Sequence, residues 1–180
     1  VEALVSLISP RTRLVGVTHV SNVLGTINPI AAIAVETKAR GVPLLVDGSQ
    51  ALPHFKVDVQ ALGCDFYCFT GHKLFAPTGT GVLWARYETL DAMSPWIGGG
   101  EMIDAVSFER TIYAPPPRRF EAGTPNIAGF IGLAAAIDYL AAQDFDALHA
   151  HEQALLFFLD AAITEIYSGG VVGSVKNRVP

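Results

Sequence analysis

Three short stretches hold the polar groups best suited to chemistry: HVSN at residues 19–22, DGSQ at 47–50 and TGHK at 70–73. From Asn22 to Asp47 is 25 residues and from Asp47 to Lys73 is 26. Each separation accommodates one strand-to-strand step, so the groups can meet at one edge of a sheet. Together they supply an amine that can condense with an aldehyde, an acid that can keep a pyridine nitrogen protonated, and hydroxyls and an imidazole that can bind phosphate. Those are the parts of a pyridoxal 5'-phosphate (PLP) site.

Each residue also has an ordinary reading. An Asp after a buried strand often only forms a turn, and a lysine in a loop is usually a solvated charge. His19, His54, His72, His149 and His151 are too scattered for a metal site, and His149 and His151, two apart on a helix, point to different faces. Cys64 and Cys68, four apart across a strand, read as core-filling residues on one face. The Gly-rich run APTGTG lacks the Lys-Ser/Thr ending of a nucleotide P-loop.

The elements that must position these groups follow from pattern and punctuation. LVGVTHV (14–20) is β-rich and ends in the polar turn SNVLGTINP. A helix is predicted next, with Asn28 as N-cap, Pro29 as the first helical residue, Ile30, Ile33, Ala34 and Thr37 on one face, and Gly41 as the stop. VPLLV (42–46) is a continuous apolar run, as expected for a strand buried on both faces. Strand, helix and strand in that order imply a right-handed unit and a parallel sheet. A short helical turn at DVQALG leads to a third strand over 65–69, and GVLWA (81–85) reads as a fourth, antiparallel because only a short loop separates the two. In an open parallel sheet, ligands bind beyond the carboxyl ends of the strands.

The second half differs. MSPWIGGGEMI and YAPPPRRFEAGTPN make residues 93–126 rich in Gly and Pro, and they read as excursions rather than core elements. Two helices follow, one over 126–142, rich in Ala and Gly for close packing, and one over 146–167 with a stripe of Leu148, Leu155, Leu159, Ala162 and Ile166. VVGSV then begins to read as a strand. The fold class is α/β, a mainly parallel sheet with flanking helices, leading into an appended helical segment.

The composition narrows the function classes. Hydrophobic residues make up 51%, ample for a core, while charged residues are only 16% against roughly 25% in typical domains. Part of the surface is therefore expected to be covered by further protein. The net charge of -5 is spread without a basic block, which argues against nucleic acid or an anionic membrane surface as the main partner. The longest apolar helix candidate is interrupted by Asp138 and is too short to span a bilayer. Two cysteines and no basic-then-apolar leader indicate a reducing, cytoplasmic setting. The chain starts at Val1 inside a helical pattern, so it reads as a segment of something longer.

Four blocks, HVSNVLGTINP, VDGSQALPHFKVDVQALGCDFYCFTGHKLFAPTGTGVLW, WIGGGEMI and RRFEAGTPN, resemble in order and spacing the SufS-type cysteine desulfurases. These belong to the class V aminotransferase family of fold-type I PLP enzymes, and the resemblance runs over nearly the whole chain. It implies that residues 1–140 are part of the PLP-binding large domain and 141–180 the start of a small domain. It further implies that Lys73 forms the Schiff base with PLP, Asp47 partners the pyridine nitrogen, and Gln50 donates to the phenolic oxygen. Thr70 and His72 would bind the phosphate, Thr124 would complete the phosphate site of the other subunit of a homodimer, and Asn22 would bind the substrate carboxylate. Thr70 stands where the family commonly has Ser, keeping the hydroxyl, and Ala76 replaces a common Gly.

The resemblance also implies a function: removal of sulfur from L-cysteine, leaving alanine and an enzyme persulfide that a sulfur-acceptor protein takes for iron–sulfur cluster assembly. The family's ring-stacking histidine, its sulfur-accepting cysteine and its substrate-binding arginine match nothing in residues 1–180, so the chain reads as a central fragment. Another class V enzyme is the alternative, such as a selenocysteine lyase, an epimerase or a kynureninase. A third reading is a non-catalytic folding or dimer-interface module, which cofactor absorbance would separate from the others.

Overall fold

The computed structural model describes residues 1–155, which divide into two compact units after Ala142. The first unit opens with helix α1 (Glu2–Leu7) and is built on a four-stranded sheet, β1 (Val15–Thr18), β2 (Leu44–Asp47), β3 (Phe66–Thr70) and β4 (Gly81–Ala85), in that spatial order. β1, β2 and β3 are parallel and β4 is antiparallel to β3, as the connection lengths require.

Helix α2 (Ile30–Ala39) joins β1 to β2 and buries the predicted face of Ile30, Ile33, Ala34 and Thr37. Its start lies one residue later than expected. Pro29 is the cap residue, and Asn28 turns its Nδ2 to the Thr18 carbonyl at 2.7 Å instead of capping the helix. The side chain thereby ties the loop to the end of β1. Helix α3 (Val59–Leu62) is capped by Asp58, whose carboxylate accepts from the Gln60 and Ala61 amides, and it ends on left-handed Gly63.

Ile30, Ile33, Ala34, Leu44, Val46, Cys64 and Tyr67 form the core between the helices and one sheet face. A fully buried aliphatic side chain such as Leu44 or Val46 contributes about 1.5–3 kcal/mol. The other face is less covered. β2 alternates buried and half-buried residues, with Leu45 and Asp47 on the half-buried side, so the apolar run does not make a strand buried on both faces. Thr18, Asp47, Cys68 and Leu83 are paired in one row across the sheet, and strand alternation puts that row opposite Tyr67. Cys64 and Cys68 are therefore on different faces, because the strand begins only at Phe66 and the alternation does not extend back to Gly63 and Cys64.

After α4 (Tyr87–Asp91), the Gly/Pro-rich stretch forms a small sheet of its own, β5 (Ile103–Val106) and β6 (Thr111–Tyr113), antiparallel to each other. The excursion is anchored. Met102 and Ala114 are buried, joined by a 2.8 Å bond from the Ala114 amide to the Met102 carbonyl. Arg119 donates from Nε to the Ala114 carbonyl at 3.0 Å and from Nη1 to the Asp91 carbonyl at 2.8 Å.

Helix α5 (Ile127–Ala141) starts at Asn126, whose Oδ1 accepts from the Gly129 amide at 3.1 Å. The predicted close packing is present: a Cβ at position 132 would lie 2.7 Å from the Pro77 ring, and one at 129 would lie 2.8 Å from Thr80 Cγ2. The described part of the second unit is helix α6 (Phe145–Leu155), which carries Leu148 and Leu155. Leu159, Ala162, Ile166 and the expected VVGSV strand lie outside the described residues. Among the described residues no single helix is long and apolar enough to cross a membrane.

Candidate functional site at the carboxyl edge of the sheet

Parallel pairing sends the ends of β1, β2 and β3 to one edge, and the nominated groups follow from there. β3 passes directly into a 3₁₀ turn, Gly71–Leu74, that holds His72 and Lys73. The turn is locked from both sides. The Gly71 amide donates to the Thr80 carbonyl at 2.9 Å, and the Ala76 amide donates to the Gly71 carbonyl at 3.1 Å. Gly71 is required by contact, since a Cβ there would stand 2.1 Å from Thr80 Oγ1.

Thr70 Oγ1 and His72 Nδ1 are hydrogen-bonded at 2.8 Å on the exposed side of this turn. Lys73 is half-buried, and its side chain makes no hydrogen bond or ion pair among the described residues. A half-buried lysine whose amine has no carboxylate beside it is held by its stem and leaves the amine available to a ligand.

Asp47 ends β2, and its backbone is held by both neighbours. The His19 amide donates to the Asp47 carbonyl at 2.8 Å, and the Gly48 amide donates to the Cys68 carbonyl at 2.8 Å. The carboxylate accepts one hydrogen bond among the described residues, from the Ser49 amide to Oδ1 at 2.9 Å. The turn-forming role is thus real, and it leaves Oδ2 available for a donor from a bound ring. Gln50 is half-buried in the turn that follows.

Asn22 is exposed in a tight turn after β1, where Ser21 Oγ accepts from the Val23 and Leu24 amides at 3.2 Å each. Thr124 is exposed on the segment before α5. Asp47, Gln50, Thr70, His72, Lys73 and the Asn22 turn therefore share one sheet edge, while Thr124 comes from a separate excursion. As a set, an unpaired lysine amine, a carboxylate with a free oxygen and a hydroxyl–imidazole pair fit an aldehyde-bearing, phosphorylated nitrogen heterocycle.

Behind Asp47 lies a cluster that sequence reasoning missed. His19 and Tyr67 are both buried, with His19 Nδ1 3.0 Å from Tyr67 Oη. The imidazole stands edge-on to Phe55 at 5.3 Å between ring centroids. Burial lowers the His19 pKa from its ordinary value and raises that of Tyr67, with the nearby Cys64, Asp47 and Cys68 adding to the latter. Burial likewise raises both cysteine thiols; the Asp47 charge raises Cys68 further. The signal for this cluster was Gly48 immediately after Asp47, which leaves room for a ring.

A groove lined by Lys38, Pro43, Asp65 and Arg86 lies at the opposite edge, before β2 and β3 begin. It holds none of the nominated residues.

The chain matches the aminotransferase class-V family over residues 1–179 and belongs to that family. It is 51% identical over 177 residues to a probable cysteine desulfurase of Xylella fastidiosa, covering 98% of this chain and 42% of the relative. It is 54% identical over 174 residues to a cysteine desulfurase of Dickeya dadantii, covering 96% of this chain and 42% of that protein. Among solved structures, the cysteine desulfurase CsdA of Escherichia coli superposes with a TM-score of 0.86 at 42% identity, over 91% of this chain and 41% of CsdA. The apo cysteine desulfurase of Thermococcus onnurineus gives 0.81 at 39% identity, over 86% of this chain and 39% of that one. The chain thus spans about two fifths of the length of the relatives it matches.

Proposed function

We propose that this chain carries the cofactor-holding part of a PLP-dependent cysteine desulfurase, which converts L-cysteine to L-alanine and an enzyme persulfide. The observation that carries the reading is the placement of Asp47, the Thr70–His72 pair and Lys73 on one sheet edge, in a chain about half identical to proteins named cysteine desulfurases. PLP, when bound, supplies an electron sink for carbanion chemistry at the α-carbon of an amino acid.

The chain's own residues would hold that group and serve it. Lys73 Nζ anchors the aldehyde carbon and afterwards moves protons at the substrate α-carbon. The free Oδ2 of Asp47 holds the pyridine nitrogen in its protonated form, which strengthens the sink, and the Ser49 amide on Oδ1 fixes the carboxylate's plane. Gln50 donates to the phenolic oxygen. Thr70 and His72 bind the phosphate, their mutual bond fixing the imidazole's orientation. Asn22 binds the substrate carboxylate, and Thr124, exposed on its excursion, completes the phosphate site of a partner subunit in a homodimer.

The finer reading is a SufS-type protein of the cytoplasm that acts on L-cysteine or selenocysteine and passes sulfur to an acceptor protein for iron–sulfur cluster assembly. Residues 1–140 belong to the large domain and 141–180 begin the small one. Cys64 and Cys68 are not the sulfur acceptor. The Cys64 thiol is fully buried, both thiols are pushed up in pKa, and only a thiolate attacks the substrate's sulfur.

The test is alanine and sulfide formation from L-cysteine by the whole protein. Asp47→Ala is expected to lower turnover at least a hundredfold with little loss of protein yield, and Asp47→Glu to restore part of it, magnitudes on the order of those for other misplaced catalytic groups. Replacing Cys64 and Cys68 with serine is expected to leave turnover within about twofold. Full turnover in Asp47→Ala, or loss of alanine formation in the serine variants, would overturn the assignment.

A further inference from the structure

The chain spends two buried polar side chains, His19 and Tyr67, at a place where apolar residues would pack as well. Tyr67 pairs with Val46 across the β2–β3 ladder, one residue before Asp47. Its ring crosses directly over Gly48, where a Cβ would lie 2.0 Å from Tyr67 Oη and 2.1 Å from Cε1. No other residue type at 48 leaves the ring in this position. The hydroxyl then reaches His19 Nδ1 at 3.0 Å. The loop closes on Asp47 itself, because the His19 amide donates to the Asp47 carbonyl at 2.8 Å. The Gly48 carbonyl in turn accepts from the Ala51 amide at 2.9 Å, which starts the turn that carries Ser49 and Gln50.

We propose that His19, Tyr67 and Gly48 form a buttress that positions the Asp47 carboxylate and the 48–51 turn, making His19 and Tyr67 positioning residues for the pyridine-binding acid. This rests on the assignment of Asp47 to the ring nitrogen. Asp47 is the last residue of β2, so its side-chain direction depends on what grips the peptide unit that leaves the strand. The Asp47–Gly48 unit is gripped at its carbonyl by the His19 amide and at its amide by the Cys68 carbonyl, and the Tyr67 ring backs Gly48 directly after it. A pair of apolar side chains would fill the same volume but would fix neither the imidazole plane nor the ring's height over Gly48, since hydrogen bonding in a low-dielectric interior is directional where packing is not. A free Oδ2 a few tenths of an ångström out of place is enough to weaken one charge-assisted hydrogen bond to the ring.

The experiment is a double-mutant cycle on the whole protein with PLP. It reads the PLP dissociation constant and the pH midpoint of the bound cofactor's visible absorbance, with thermal midpoints as a check on folding. Tyr67→Phe keeps the ring and removes the hydroxyl. It is expected to raise the dissociation constant roughly fivefold, the factor one hydrogen bond is worth, and to shift the absorbance midpoint. In an Asp47→Ala background the same change is expected to have little further effect on either quantity, because the group it positions is gone. His19→Asn, whose amide can stand in for Nδ1, is expected to retain most of the wild-type spectrum, whereas His19→Leu is expected to behave like Tyr67→Phe.

Equal effects of Tyr67→Phe with and without Asp47 would overturn the buttress and leave a generally loosened core. No effect of Tyr67→Phe beside a clear effect of Asp47→Ala would also overturn it, while leaving Asp47 as the ring's partner. An Asp47→Ala protein with unchanged affinity and spectrum would remove the site assignment and the buttress together.

Discussion

Thr70 Oγ1 and His72 Nδ1 are joined at 2.8 Å across the first residues of the turn that carries Lys73. The bond fixes the imidazole relative to the end of β3 and leaves its Nε2 and the threonine's remaining capacity for a ligand. Two polar groups already oriented on an exposed turn bind an anion with less loss of side-chain entropy than two free ones. Thr70→Val is therefore expected to weaken PLP binding by the whole protein roughly tenfold, and Thr70→Ser to keep most of the affinity, since a bond to a charged group is worth about 1.5–3 kcal/mol. Equilibrium titration of cofactor absorbance measures both, and equal affinities in the valine and wild-type proteins would exclude Thr70 from the site.

Gly71 and Thr80 touch so closely that position 71 admits no side chain, with Thr80 Oγ1 2.1 Å from where a Cβ would be. Gly71→Ala is expected to cost about 1–3 kcal/mol by overpacking and to displace Lys73, which follows two residues on. Adding Thr80→Ala should recover part of that loss, because the clashing oxygen is removed. The recovery will be incomplete, since Thr80 Oγ1 also donates to the Pro77 carbonyl at 3.2 Å. Urea denaturation of the single and double variants gives the comparison, and a Gly71→Ala protein as stable as wild type would contradict the contact.

His19 is buried and its pKa is lowered below the ordinary value of 6.5 by desolvation. The unfolded chain therefore binds a proton at a pH where the folded protein resists it, and stability rises with pH across that window. The His19 contribution is fully present above about pH 6.5 and is lost as pH falls below it towards the folded-state pKa. Denaturation midpoints measured about one pH unit above and about one unit below the ordinary histidine pKa should show a drop that His19→Asn reduces. A drop of the same size in the variant would assign the effect to other groups.

Much of this architecture was legible in the sequence because its signals are local. Asn28-Pro29 and Gly41 bracket α2, and the short link between 69 and 81 forces β4 antiparallel. Asp47, Thr70, His72 and Lys73 could be nominated because parallel strands deliver their following residues to one edge. What escaped was set by distant partners. His19 meets Tyr67 across 48 residues, Asn28 forgoes capping for a carbonyl ten residues back, and Cys64 leaves the face of Cys68 because the strand starts two residues after it. The β5–β6 hairpin was missed because Gly and Pro around it mask a short alternation.

Lys73 follows Thr70 and His72 in the turn that leaves β3 at the carboxyl edge, and the reading of the site turns on it. Borohydride reduction of the whole protein with bound PLP, followed by peptide mapping, tests it directly, because reduction makes the lysine–cofactor link permanent. A pyridoxyl label is expected on Lys73 and is expected to be lost in Lys73→Ala. A label on Lys38, Lys56 or Lys176 instead would contradict this reading.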